Sequence, residues 1–143
     1  MNKETEKINP VALHEVSHAA GAEVLGANIL KQTIIPEGNT LGYVITSFER
    51  FPFHEKLFRM LATKFFGGLG LEKLGFNNPW KGADSDLYQA DFLSKIISKF
   101  VYLDKIKPET VRSWALSLAR SALPSRKILT YRAYKLELKG TIT

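Results

Sequence analysis

Apolar residues recur every three to four positions over three long stretches, which predicts three amphipathic helices. The most regular stripe, Val111, Trp114, Ala115, Leu118, Ala119 and Ala122, opens at Pro108 and is closed by Pro124. Leu93, Ile96, Ile97, Phe100 and Val101 mark a second helix, from about Asp84 to Tyr102. Leu57, Met60, Leu61, Lys64 and Phe65, at helical spacing, mark a third, from about Phe53 to Leu74. That stretch also holds Gly67, Gly68 and Gly70. Each glycine costs roughly 1 kcal/mol inside a helix, so close packing against another backbone has to offset them.

The partner is an earlier helix, about Pro10 to Leu25. Asn9 can cap it, Pro10 suits its first position and Gly26 ends it. It carries the small run Ala19, Ala20, Gly21 and Ala22, the expected seat for the glycines. Lys31–Pro36 and Leu41–Thr46 are β-rich around a turn at 37–39, which predicts a hairpin or two neighbouring strands. Turn residues make 75–82 a loop. Residues 127–138 fit a helical face only loosely and read as a last helix or an extended tail. The fold class is therefore α+β, mainly α-helical.

Composition narrows the chemistry. The 143 residues contain no cysteine, so any metal is held by His, Asp or Glu. Two of the three histidines share one motif, His14-Glu15-Val16-Ser17-His18, within the first helix. Residues four apart lie on one helix face, so both imidazoles can reach one metal ion. Glu15 is one step round, a carboxylate placed to take a proton from water beside the metal. A catalytic zinc site takes a third protein ligand. His54 is a weak candidate in a charged neighbourhood. Asp84 and Asp86 open a helix after a loop, where capping and the helix dipole already favour carboxylates. Residue chemistry alone does not choose between the two aspartates.

The net charge of +6 is spread along the chain, and nucleic acid is not an expected partner. No apolar run is long enough to span a membrane and the polar start is no signal peptide, so a cytoplasmic location is expected.

From Val11 to Ile97 four blocks stand in an order that resembles the peptidase region of FtsH-type zinc proteases, the membrane-bound AAA proteases. VALHEVSHAAGAEVLG resembles the family's zinc helix, and KQTIIPEGNTLGYV the strand segment after it. FGGLGLEKLGF is similar to the Gly-Gly helix with its Ala-Glu-Glu stretch, and GADSDLYQA to the Gly-Ala-Ser-Asn-Asp-Leu block. The resemblance implies a zincin-like helix bundle with a small β-hairpin or sheet. It implies one Zn2+ per chain, held by His14, His18 and Asp86, with Glu15 as the general base. It places Asp84 on a serine, and Glu72 on a glutamate that can support a ligand histidine. It makes the segment Leu41, Gly42, Tyr43 and Val44 a candidate edge strand for pairing with an extended substrate; an internal strand without that role is the competing reading.

The chain departs from the family pattern at Val16-Ser17, usually Ala-Gly, and at Leu69-Gly70-Leu71, usually Arg-Ala-Ala. The family's membrane segments and AAA module have no counterpart in the resemblance. The expected organisation is a single metallopeptidase-like domain, 1–143, with a flexible N-terminus over 1–9, a zinc-site core over 10–102 and a C-terminal helical segment over 103–143. The expected activity is a zinc-dependent metalloendopeptidase that hydrolyses unfolded or flexible proteins without its own ATPase. A homo-oligomer or association with an AAA module is an open partner question. The competing function is a non-catalytic, zinc-stabilised polypeptide-binding module, or a partner of a full-length AAA protease.

Overall fold

A computed structural model describes residues 7–143; most of the flexible N-terminus expected over 1–9 lies outside them. Ile8, inside that range, is buried in the core. The elements run α1 (Pro10–Val24), β1 (Asn28–Thr33), β2 (Tyr43–Ser47), α2 (Phe53–Thr63), α3 (Phe66–Lys73), α4 (Asp84–Phe100), α5 (Pro108–Ala122), α6 (Arg126–Lys139) and β3 (Thr141–Ile142). The fold is α+β and mainly helical.

α1 forms as its sequence demands. The Asn9 side chain accepts from Val11 N at 2.8 Å and Ala12 N at 3.3 Å, and Pro10 takes the first helical position. Gly26 at φ +96° lets the chain leave the helix. α1 is the hub: it packs on α3, α6 and both long strands. Its interface with α3 leaves no room for a Cβ at three glycines. A Cβ at Gly67 would run into the His14 imidazole, one at Gly70 into the Ser17 side chain, and one at Gly21 into the Phe66 ring. Gly67 and Gly70 thus sit against α1, but at His14 and Ser17 and not at the small run beyond His18, and Gly68 faces Trp80 instead.

Two apolar clusters flank α1. One gathers Ala22 and Leu25 with Leu61, Phe65, Phe66 and Ile97; the other joins Leu13, Val16 and Ala20 to Leu71, Leu129 and Leu136.

The structure corrects two expectations and decides a third. The helix expected over 53–74 is two helices, α2 and α3, interrupted at 64–65. The β-rich stretches form antiparallel strands, but β1 starts earlier than expected and β2 begins only at Tyr43, so Leu41 and Gly42 precede it. Residues 126–139 are a helix, after which β3 pairs with β1, Thr33 opposite Thr141. The sheet order is β2-β1-β3. The end of the described chain therefore occupies the side of β1 away from β2, and among the described residues β2 is an edge strand, not an internal one. No helix of the described residues is long and apolar enough to cross a membrane.

Candidate metal centre

His14 and His18 project from one face of α1, and their ring centroids lie 4.8 Å apart, edge to face. Asp86 reaches them from the first turn of α4. Its Oδ2 lies 3.1 Å from His14 Nε2 and 2.9 Å from His18 Nε2, and the two Nε2 atoms are 3.2 Å apart. Asp84 is exposed and outside this group, and so is His54, which lines a separate apolar pocket with Phe53 and Phe100. Among the described residues, His14, His18 and Asp86 are the one group of three that could hold a metal ion.

The interruption at 64–65 serves His18. Carbonyls at a helix C-terminus lack intrahelical donors, and that of Thr63 accepts from His18 Nδ1 at 2.7 Å. A carbonyl only accepts, so Nδ1 carries the proton it donates, and Nε2 is the ring nitrogen left facing Asp86 Oδ2. Three electron-rich atoms that close together are favourable only with a shared proton or cation between them. Their separations match the spacing of about 3.3 Å expected between ligands around a tetrahedral zinc ion with bonds near 2.0 Å. The donor set, two imidazole nitrogens and a carboxylate oxygen, suits zinc as well. The residues present therefore fit the ion.

Burial acts to raise the pKa of Asp86, but hydrogen bonds to His14 and His18 and their charge hold its carboxyl well below the usual range. Glu15 behaves oppositely. It is buried, with Oε1 4.0 Å from His14 Nε2. Burial pushes its carboxyl up to about 7, His14 works against the rise and Asp86 adds to it. Gly42 lies directly against it: a Cβ there would sit 3.2 Å from Glu15 Cγ and 2.8 Å from the Thr33 carbonyl oxygen. The segment Leu41–Val44 thus passes over the base. It lines, with His14, Glu15, His18 and Asp86, a cleft of about 960 Å³.

Glu72 is not brought to the histidines by any hydrogen bond among the described residues. Its Oε1 accepts from Arg120 Nη1 at 2.9 Å in an exposed pair, and that hydrogen bond lowers its carboxyl below the usual range. Its helix, α3, serves the site through Gly67 instead. Lys64, which also lines the cleft, was not a sequence candidate. Its signal was a lone cation in an otherwise apolar run.

No protein-family profile matches the chain. It is similar to curated proteins described as ATP-dependent zinc metalloproteases. It shares 35% identity over 109 residues with FtsH 2 of Phytoplasma mali, covering 69% of this chain and 16% of that protein. With FtsH 4 of Sphaerobacter thermophilus it shares 36% over 89 residues, 59% of this chain and 14% of the relative. With FtsH of Mycoplasmopsis pulmonis the identity is 36% over 102 residues, 67% and 14% of the two chains. The match spans only 14–16% of each relative's length. Within that span, the chain carries an FtsH-type zinc-protease region.

Proposed function

We propose that this chain is a zinc-dependent metalloendopeptidase acting on unfolded or flexible polypeptides, with His14, His18 and Asp86 holding one zinc ion and Glu15 as the general base. The observation that carries this reading is the position of Glu15. A buried carboxylate with Oε1 4.0 Å from His14 Nε2, at the mouth of the donor group, is placed for general-base work on water held there. A module that only bound metal would gain nothing from it and would bear the cost of burying it.

A bound zinc ion supplies Lewis acidity, which polarises water and the peptide carbonyl. Glu15 accepts the proton that water loses as its oxygen bonds to the carbonyl carbon. It then returns that proton to the departing amine nitrogen as the C–N bond breaks, so each cycle leaves the carboxylate as it began. His18 is held in one tautomer by the Thr63 carbonyl, and Asp86 stays ionised. The outer edge of β2, with its backbone groups unpaired by any described strand, suits an extended peptide laid alongside the base. An extended backbone is available only in flexible or unfolded substrates.

The test is digestion of casein by zinc-loaded protein without ATP, beside Glu15→Gln and His14→Ala. The expected result is cleavage by wild type, a loss of about 10²- to 10⁴-fold in Glu15→Gln with zinc content retained, and loss of zinc in His14→Ala. Wild-type zinc content in His14→Ala would refute the metal assignment. Equal cleavage by Glu15→Gln would refute the base.

A further inference from the structure

Lys64 occupies the break between α2 and α3, and its side chain lines the same cleft as the candidate metal ligands. It is half-buried, and burial lowers its pKa below the ordinary lysine value while Asp86 works against the fall. Among the described residues, no hydrogen bond or ion pair engages its ammonium group. Asp86 Oδ2 is committed to both imidazoles, and Glu15 is packed beneath Gly42. A lysine at a helix C-terminus can simply complement the helix dipole, worth about 0.3–1 kcal/mol. That role is met from solvent and gives no reason to draw the ammonium into a cleft. A desolvated ammonium without a partner is unfavourable, and an arriving anion relieves it. Lys81 adds a second cation to the lining, at an exposed position.

We propose that Lys64 forms a carboxylate subsite that pairs with an acidic group of the bound polypeptide close to the bond cleaved, and so selects acidic segments. The carboxylate is that of an Asp or Glu side chain or of the substrate's own C-terminus. Because the preceding residue, Thr63, holds His18, the subsite lies beside the metal-binding imidazoles. This inference rests on the peptidase reading, and it adds charge selection to a strand edge that otherwise recognises only backbone.

The experiment measures fluorescence anisotropy of labelled peptides on zinc-loaded Glu15→Gln protein, so that bound peptides stay intact. One matched series exchanges Asp for Asn at each position, and another exchanges a free C-terminal carboxylate for an amide. The expected result is a preference of roughly tenfold for the acidic member, and the series that shows it identifies the source of the carboxylate. Adding Lys64→Met removes the preference while leaving the affinity for the neutral peptide, and Lys64→Arg restores it. Zinc content and melting temperature establish that each variant is folded, and Lys64→Gln replaces Lys64→Met if the latter is not. Equal binding of acidic and neutral peptides, or a preference that survives the loss of Lys64, overturns the subsite alone. If no peptide of any charge binds, the peptidase reading falls and the subsite with it.

Discussion

α1 and α5 are both 15 residues long and both begin on proline, yet they are built for different work. α5 buries a single stripe, Val111, Ala115, Ala119 and Ala122, and turns its polar residues outward. α1 is enclosed on nearly every side, and Glu15 and Ser17 lie among its buried residues. Burying a carboxylate and a hydroxyl costs free energy that an apolar stripe does not. α1 tolerates this because α3, α6 and the sheet pack around it, while α5 needs only one apolar face to hold its place. Polar groups are thus expensive on one helix, and cheap and structurally minor on the other.

The largest test of that contrast is pH. In metal-free protein the folded-state pKa of Glu15 lies above its ordinary value of 4.5. Its contribution to stability is complete below about 4.5 and is lost as pH rises through about 7. The loss is of order 3 kcal/mol. Denaturant titrations in chelator should show Glu15→Gln lacking that decline. Asp86, with its pKa lowered, acts in the opposite window: its contribution is lost as pH falls below its ordinary 3.8, so the two effects separate.

Next comes the α1–α3 contact. Gly70→Ala drives a Cβ into the Ser17 side chain and should cost about 1–3 kcal/mol. Ser17→Gly on the same background should recover most of it, since the hydroxyl of Ser17 is buried without a partner. A double-mutant cycle measures that coupling, and simple additivity would show that the two sites do not share the space.

The smallest effect belongs to α5. Its Arg120 pairs with Glu72 at the surface, and Glu72→Ala should change stability by less than about 1 kcal/mol. It should leave zinc affinity unaltered. A fall in zinc affinity would return Glu72 to the role its position in the sequence suggested.

The same contrast explains what could be read from sequence. The histidine motif is local, as is the cap at Asn9, and helical spacing alone puts His14 and His18 on one face. Asp84 and Asp86 share one helical turn and one chemistry, and only the tertiary placement of α4, packed on α2 and α5, brings Asp86 to the imidazoles of α1. The break at 64–65 was hidden because apolar spacing runs on from Leu61 through Phe65 and Phe66. What it achieves is tertiary: the interruption presents the Thr63 carbonyl to His18. β3 has two residues and no periodicity to detect. The Glu72 partner stands 48 positions away on another helix. The paired departures at Ser17 and Gly70 were visible as residues, but their compensation needed the contact.

The open edge of β2 carries a hazard along with its use. An unpaired strand edge is a template for any other extended chain, including another copy of this protein in the act of folding. Here the exposure is rationed. β2 has five residues, and the pairing of β1 with it slips between Ile29 and Lys31, an irregularity that bends and twists a sheet. A sheet this short and this bent can take on one guest strand but makes a poor template for a growing stack.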